Sequence, residues 1–366
     1  MNPLKQLQQH GQSVWMDYIS RKMLTSGDLG RLVDQDGVTG LTSNPAIFEK
    51  AIDESADYDN DLRKLLDADA SIQAPAIYEK LSVDDIRMAA DILRPVHERT
   101  LGADGYVSIE VSPYLAKNTE ESVHEARRLW REVDRPNLMV KIPATSEGIP
   151  AIESLLADGI NINITLMFSL AHYEAVAGAF LRGAARCRDP RRLASVASIF
   201  VSRVDTAVDA ALDSIGTPEA LALRGRIAIA NARMIYQRFR EIFHGAPFAE
   251  LRRRDVREQR VLWGSTGTKN PAYSDVLYVD ELIGPETINT VPLQTVNAFR
   301  DHGRVRGTTV QEGVEAARSD LARLKTLGVD LDMITERLQK DGVNAFIVSL
   351  DKLLANLDKK RRVIYV

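Results

Sequence analysis

Cysteine is nearly absent from this chain of 366 residues, which contains only Cys187. A single cysteine excludes an intrachain disulfide framework and a cysteine-rich metal site, and it fits a reducing compartment. No segment approaches the roughly 20 consecutive apolar residues of a membrane span, and the first residues lack the apolar core of a signal peptide. We therefore expect a cytoplasmic protein that has no membrane partner.

An excess of positive charge is also missing, since the formal net charge is -4 at pH 7. Proteins that bind nucleic acid usually carry a basic patch or stripe, so we expect no nucleic-acid partner. A basic cluster covers residues 358–362, near the end of the chain. We interpret this cluster as the solvated end of a helix.

Several motifs that carry chemistry in other enzymes are absent. The six histidines are scattered and form no HExxH pair, so we expect no catalytic metal. The chain has no GxSxG motif for a serine hydrolase, and no GxGxxG follows a strand-like run to hold a dinucleotide. The sequence therefore predicts neither a metal ion nor a nucleotide cofactor.

Eight short apolar runs have the length and composition of β-strands. They begin at Val14, Val38, Val107, Leu138, Ile160, Ala194, Arg260 and Thr287. Segments with helical spacing separate them, and 45% hydrophobic residues are enough for a full core. Eight strands alternating with helices in a chain of this length predict an α/β fold, a (β/α)8 TIM barrel, which residues 1–366 form as a single domain.

Additional helices are expected at three places. Helical insertions follow the second and sixth strands, and the region after Thr308 repeats apolar residues at three- and four-residue steps. In the second insertion we predict one long helix from Pro218 to about His244. Asn118 and Glu121 have the spacing of a capping box, which predicts the start of a helix.

Polar residues interrupt several strands near their carboxyl ends. Side chains two residues apart on a strand share a face, and the carboxyl ends of barrel strands surround the active site. One pocket is therefore predicted for Asp17, Asn44, Glu110, Lys141, Asn163 and Thr165. The alternative is a hydrogen-bonded polar plug in the barrel, because buried asparagine and threonine often have only that role.

Lys141, in an apolar run, is the strongest indication of chemistry. An ordinary lysine has a pKa of about 10.4, and burial lowers this pKa because it disfavours the charged form. A buried neutral amine can attack a ketone and form a Schiff base, while carboxylates move the protons. An ammonium held in an ion pair with Asp17 or Glu110 fits the local sequence equally well, and a phosphate ligand is a third role.

Candidates for phosphate binding accompany the sixth and seventh strands. Ser198 and Arg203 belong to the sixth strand and its end, while Ser265, Thr268 and Lys269 follow the seventh, where barrel enzymes often bind phosphate. This second loop lacks the GxxxxGK[ST] spacing, so a nucleotide P-loop is not predicted. A capped turn with an exposed lysine is the alternative interpretation.

Taken together and in order, these motifs resemble those of the transaldolase family over nearly the whole chain. The resemblance is carried by VWMDYISR, GVTGLTSNPAIFEKAI, VSIEVSP, NLMVKIPATSEGIPAI and ININITLMFS. The segment GSTGTKNPAYSDVLYVDELIGPETINTVP is similar to the branch that is sometimes fused to a phosphoglucose isomerase. The resemblance implies a class I aldolase-like barrel that needs no cofactor.

The resemblance also implies a reaction on sugar phosphates in the pentose phosphate pathway. A dihydroxyacetone unit would pass from sedoheptulose 7-phosphate or fructose 6-phosphate to glyceraldehyde 3-phosphate or erythrose 4-phosphate. By motif matching, Lys141 is the Schiff-base lysine and Asp17 is the general acid and base at the cleaved bond. Glu110 and Thr165 match the residues that position water.

The remaining matches concern substrate binding. Asn44 and Asn163 match residues that bind the dihydroxyacetone hydroxyls or hold the intermediate. Ser198 and Arg203 match the phosphate-binding segment after the sixth strand, although the neighbouring Ser202 stands where glycine is commoner. No clear counterpart exists for a second arginine of the family.

Three further residues are matched less directly. Ser265 and Lys269 are the candidates to complete the phosphate site, with a point-charge ammonium in place of a bidentate guanidinium. Phe200 matches the transferases, whereas aldolase-like relatives carry tyrosine there.

Two alternative functions remain open at this level. A fructose-6-phosphate aldolase-like lyase would use the same lysine but release dihydroxyacetone. A non-catalytic sugar-phosphate-binding barrel would keep Arg203 and Lys269 beside an unreactive lysine. We take a homodimer as the working assembly, although no motif specifies it.

Overall fold

The structure, a computed structural model, describes residues 2–53 and 55–364. Its centre is a closed barrel of eight parallel strands that pair in chain order. These strands are β1 (Gln12–Asp17), β2 (Val38–Thr42), β3 (Val107–Glu110), β4 (Leu138–Pro143), β5 (Ile162–Met167), β6 (Ser195–Phe200), β7 (Arg260–Gly264) and β8 (Thr287–Val291). Each strand overlaps one of the eight predicted runs, so the predicted TIM barrel is confirmed.

Helices surround the barrel and form both predicted insertions. They are α1 (Pro3–Gln9), α2 (Arg21–Thr25), α3 (Asp28–Arg31), α4 (Pro45–Asp53), α5 (Asp59–Ala68), α6 (Ala74–Arg99), α7 (Thr119–Val133), α8 (Gly148–Ala157), α9 (Leu170–Arg186), α10 (Ser202–Ile215), α11 (Pro218–Leu221), α12 (Ile227–Phe243), α13 (Ala249–Arg253), α14 (Leu277–Glu281), α15 (Leu293–His302), α16 (Val314–Thr326) and α17 (Leu331–Ile364). Short 3-10 helices at Pro113–Leu115, Pro190–Arg192, Ala246–Phe248 and Thr309–Gln311 and a π-helical turn at Leu32–Asp36 complete the helical elements. The helical region predicted after Thr308 is confirmed by α16 and α17.

The predicted start of α7 is confirmed. Asn118 precedes the helix, and its side-chain oxygen accepts the N–H of Glu121 at 3.1 Å. This bond satisfies one of the backbone donors that a helix start leaves without a partner.

The predicted long helix over residues 218–244 is wrong, because α11 and α12 occupy this region with a break between them. Gly225, in the break, has a φ of 69° and donates its N–H to Asp209 Oδ1 at 3.0 Å. Asp205 accepts the N–H of Ala228 at 2.7 Å, in the first turn of α12. Both carboxylates belong to α10, so tertiary contacts place the break.

Residues 358–362 lie in the last turns of α17, as predicted for a helix end, and Lys359 and Arg362 are exposed, but Lys360 and Arg361 are half-buried. Lys360 Nζ donates to the carbonyl oxygen of Ile52 at 2.7 Å, and Arg361 Nη1 donates to that of Ile72 at 2.7 Å. Long cationic side chains can reach carbonyl groups that the end of a helix leaves without partners. The cluster therefore ties the end of α17 to the insertion that follows β2.

Apolar side chains fill the part of the barrel below the strands' carboxyl ends. The cluster contains Trp15, Tyr106, Met139, Val196, Leu262 and Ile288. Gly40 lies against the Trp15 indole, and a Cβ at position 40 would overlap the ring. Only glycine fits there without displacing the tryptophan, so this layer forms a packed floor under the barrel mouth.

Helix α17 crosses the barrel mouth. Gln339 Nε2 donates to the carbonyl oxygens of Ala144 and Leu166, at 2.9 and 3.1 Å, which attaches the helix to the segments that end β4 and β5. Two turns later, the buried side chain of Phe346 lines the cavity at the mouth. Among the residues that the structure describes, no helix has the length and apolar character needed to cross a membrane.

Candidate active site

The side chains that were predicted to share one pocket meet at the barrel mouth. A cavity of about 340 Å³ lies between the strand ends and α17. Its lining includes Asp17, Asn44, Lys141, Asn163, Thr165, Ser198, Phe200, Arg203, Ser265 and Lys269. Glu110, the remaining predicted site residue, contacts Lys141 beside the cavity.

Lys141 is buried on β4, with 5% of its surface exposed. Its Nζ donates to the carbonyl oxygen of Ser43 at 2.9 Å and lies 3.2 Å from Glu110 Oε2. The strand register pairs Lys141 with Glu110 on β3 and with Asn163 on β5. Three predicted residues thus stand side by side because β3, β4 and β5 are adjacent.

Glu110 forms an ion pair with Lys141 but receives no well-directed hydrogen bond on Oε2. Burial raises the pKa of Glu110, and the nearby Lys141 ammonium acts in the opposite direction. The net direction is upward, because desolvation disfavours the carboxylate more than the ion pair stabilises it. Glu110 is therefore a carboxylate that can accept a proton from Lys141 at short range.

Asp17 ends β1 and faces the same cavity. Thr42 Oγ1 donates to Asp17 Oδ1 at 2.7 Å and lies 2.8 Å from Thr290 Oγ1. Since Thr42 has one hydroxyl hydrogen and gives it to Asp17, Thr290 must donate to Thr42. Burial raises the pKa of Asp17, while Lys141 and the Thr42 hydrogen bond lower it by smaller amounts.

Asn163 connects the cavity to a buried polar layer. Its Nδ2 donates to Ser108 Oγ at 3.0 Å, and Ser198 Oγ donates to its Oδ1 at 2.7 Å. These bonds hold the amide in one orientation and are what the polar-plug interpretation expected of Asn163. Lys141 fits that interpretation less well, because its side chain lines the cavity.

Thr165 has a buried hydroxyl without a hydrogen-bond partner. The register of β5 shifts between Ile164 and Met167, and Leu166 has a φ of 58°, which is unusual for leucine. The register shift next to Thr165 is typical of a β-bulge, which changes the direction of the neighbouring side chains. A buried hydroxyl that lines a cavity and lacks a partner is free to bind substrate or water.

Three cations that line the cavity have no carboxylate within ion-pair distance among the described residues, and two of them, Arg203 and Lys269, are the predicted phosphate ligands. The Arg203 guanidinium carbon lies 5.2 Å from the centroid of the Phe200 ring, and burial lowers the pKa of Arg203. Ser265 has a φ of 53°, and its Oγ lies 2.9 Å from Ser202 Oγ, at the start of α10. This side of the cavity thus combines cations and a hydroxyl that suit a phosphate dianion.

No group of three histidine, cysteine or acidic side chains in the described ranges 2–53 and 55–364 is arranged to hold a metal ion. The side chains at the cavity include an amine, a carboxylate and hydroxyls. Such a set can form an imine and move protons to and from a bound carbonyl compound.

Sequence reasoning did not select several residues that line the cavity, among them Thr42, Ile47, Lys50, Thr290 and Phe346. Thr42 stands two residues before Asn44, so the two-residue period of the strand indicated that it faces the same side. Lys50 lies one helical turn after Ile47 on α4, and strand parity does not apply to a helix. Phe346 reaches the site only because α17 folds across the mouth, and no local pattern predicts that path.

Comparison with known proteins supports the resemblance to the transaldolase family. Residues 14–357 match a family model described as Transaldolase/Fructose-6-phosphate aldolase. A transaldolase of Thiobacillus denitrificans is 49% identical over 361 residues, which are 98% of this chain and 100% of that protein. A transaldolase of Thermobifida fusca is 49% identical over 96% of each chain, and a transaldolase 2 of Streptomyces avermitilis is 44% identical over 97% of this chain and 96% of its own. The chain therefore belongs to the transaldolase/fructose-6-phosphate aldolase family.

Proposed function

We propose that this enzyme is a transaldolase that works through a Schiff base on Lys141. It transfers a dihydroxyacetone unit from sedoheptulose 7-phosphate or fructose 6-phosphate to glyceraldehyde 3-phosphate or erythrose 4-phosphate, in the pentose phosphate pathway. The transferase function rests on 49% identity to curated transaldolases over nearly the full length of the chain. The mechanism rests on one observation, the buried Lys141 amine 3.2 Å from Glu110 in a cavity that also contains unpaired cations.

Imine formation begins at Lys141. Glu110 takes a proton from the ammonium, and the neutral nitrogen attacks the C2 carbonyl carbon of the ketose phosphate. Proton transfer from nitrogen to oxygen gives a carbinolamine, Glu110 returns its proton to the carbinolamine hydroxyl, and this group leaves as water to give the protonated imine. Glu110 and the free Thr165 hydroxyl position this water. The same two residues place water for hydrolysis when the imine returns to a ketone.

Carbon–carbon cleavage requires a base at the hydroxyl on C4 of the bound sugar. Asp17 takes that proton, the bond between C3 and C4 breaks, and its electron pair moves into the imine to give an enamine. The aldose phosphate leaves, and an acceptor aldose phosphate enters. The enamine carbon then attacks the acceptor aldehyde, and Asp17 returns its proton to the new hydroxyl.

Burial raises the pKa of Asp17, which improves its ability to take a proton. The hydrogen bond from Thr42 holds the carboxylate in place while both steps occur. Asn44 and Asn163 bind the hydroxyls of the dihydroxyacetone unit, and Ser198 keeps Asn163 oriented through its 2.7 Å hydrogen bond.

The phosphate end of the sugar lies against Arg203, Lys269 and Ser265. A guanidinium, an ammonium and a hydroxyl provide charge and donors for a dianion, although Lys269 cannot form the paired bonds of an arginine. Phe200 supports the Arg203 guanidinium by lying under it. This contact restricts the position of the charge in the cavity.

Borohydride trapping tests the mechanism. Fructose 6-phosphate and borohydride should leave a reduced adduct on the peptide that contains Lys141, as measured by mass spectrometry. The Lys141→Ala variant should lose the adduct and all transfer, while its far-ultraviolet circular dichroism stays that of the wild type. An adduct on another lysine, or none, would remove Lys141 from the mechanism.

Acceptor dependence separates this function from the lyase alternative, which the family description also covers. A transaldolase needs erythrose 4-phosphate or glyceraldehyde 3-phosphate for turnover of its donor. A fructose-6-phosphate aldolase-like lyase releases free dihydroxyacetone without an acceptor. A non-catalytic barrel would bind fructose 6-phosphate and give neither product nor adduct.

Three further features of the protein belong to the proposal. The enzyme acts as one class I aldolase-like barrel domain, it works in the cytoplasm without a cofactor, and it forms a homodimer. Light scattering coupled to size-exclusion chromatography measures the molar mass directly, and a monomer mass would contradict the dimer.

A further inference from the structure

Lys50 is a cation at the cavity that the proposed chemistry has not used. It lies on α4, one helical turn after Ile47, and both side chains line the active-site cavity. The other face of α4, which includes Phe48 and Ile52, is buried in the core. The orientation of α4 is thus set by packing, and this orientation places Lys50 at the exposed rim of the cavity.

The Lys50 ammonium has no ion-pair or hydrogen-bond partner among the described residues. Its neighbour Glu49 is buried on the other side of the helix and pairs with Lys352 of α17. An unpaired ammonium keeps its whole charge available for an anion that enters the cavity.

The other cations of the cavity lie near a carboxylate. Asp17 is close enough to Lys141, Arg203 and Lys269 to interact with their charges, which offsets part of their attraction for an anion. Lys50 stands outside this group. A sugar phosphate carries a charge of about -1.5 to -2 at neutral pH, so an additional cation at the rim improves the match of charges.

We propose that Lys50 is a specificity-determining residue that favours phosphorylated over unphosphorylated acceptor aldehydes. This inference rests on the proposed transfer function, in which the acceptor enters while the dihydroxyacetone unit stays on Lys141. Lys50 acts at the rim through its charge, on the phosphate end of the incoming aldose. Because the residue is exposed, its contribution is moderate and decreases with salt.

The test compares two acceptors, erythrose 4-phosphate and erythrose, at saturating fructose 6-phosphate. The selectivity is the ratio of their kcat/KM values. Lys50→Met should lower this ratio by about fivefold at low ionic strength, the size expected for one exposed charge pair. Lys50→Arg should restore most of it, and the loss should shrink in about 0.5 M salt.

Lys80→Met is the matched control, since Lys80 is an exposed helical lysine on α6 that does not line the active-site cavity. Its ratio should equal that of the wild type. Competition by inorganic phosphate provides a second measurement, and Lys50→Met should weaken it while Lys80→Met should not.

A wild-type ratio in Lys50→Met would overturn the role of Lys50. If both kcat/KM values fall by the same factor, the ratio is also unchanged and the loss is structural. Borohydride trapping of the wild type separates this failure from failure of the proposed function. An adduct on Lys141 with an unchanged ratio removes only the role of Lys50, whereas a missing adduct removes both.

Discussion

Replacing Asp17 with asparagine should separate imine formation from carbon–carbon cleavage. Asparagine has nearly the same shape, and its side-chain oxygen can still accept the 2.7 Å hydrogen bond from Thr42. It cannot take up a proton from the sugar hydroxyl. General base catalysis contributes about 10² to 10⁴ in rate, which corresponds to about 3 to 5 kcal/mol of transition-state stabilisation.

The assay for this variant has two parts. Transfer from fructose 6-phosphate to an acceptor should fall by the factor given above, when product formation is followed in a coupled assay. Borohydride should still trap substrate on Lys141, but mass spectrometry should find the uncleaved six-carbon sugar phosphate in place of the three-carbon unit. This change occurs because the variant can form the imine but cannot break the bond between C3 and C4.

Thr42→Val serves as the control for position. It keeps the Asp17 carboxylate but removes the hydrogen bond that orients it, so the loss of transfer should be much smaller than in Asp17→Asn. Near wild-type transfer by Asp17→Asn, or a three-carbon adduct on its Lys141, would refute the assignment of Asp17 as the base at the cleaved bond.

Three other predictions concern single side chains. Thr165→Val removes a buried hydroxyl that has no partner, so urea unfolding should show unchanged or higher stability while imine formation slows; lower stability would argue for a structural hydroxyl. Burial raises the pKa of Asp205 to about 6. The unfolding free energy of the wild type should therefore fall by up to about 3 kcal/mol relative to Asp205→Asn as pH rises from about 4 to about 7. A difference in unfolding free energy that does not change with pH would contradict this. Gln339→Ala leaves two buried carbonyl oxygens, including that of Leu166, without their donor and should lower the unfolding free energy by about 2 kcal/mol. A decrease below about 0.5 kcal/mol would show that these bonds do not hold α17.

Strand positions and the convergence of the site could be predicted because both depend on a two-residue period. In a barrel of parallel strands, all carboxyl ends lie at one mouth, so polar residues near those ends must approach one another. Asp17, Lys141 and Asn163 illustrate this, since each is separated from its neighbours by many residues along the chain. Their catalytic and binding roles remain predictions.

Features that depend on contacts between helices could not be predicted in the same way. The break between α11 and α12 is set by Asp205 and Asp209, which accept N–H groups from a segment about twenty residues away. The charges of residues 358–362 are typical of a solvated helix end, yet Lys360 donates to the carbonyl oxygen of Ile52 because α17 crosses the barrel mouth. Neither local propensity nor charge pattern contains the path of that helix.

The sequence by itself therefore determined the eight-stranded barrel, the candidate nucleophile Lys141 and the family resemblance, since periodicity and motifs are local properties. Only the tertiary structure decided that Nζ of Lys141 lies 3.2 Å from Glu110, that the Thr165 hydroxyl lacks a partner, and that Lys50 and Phe346 border the cavity. The physical reason is that distances, burial and unmet hydrogen bonds arise when separate elements pack together, and α4 and α17 contribute to the site only through that packing.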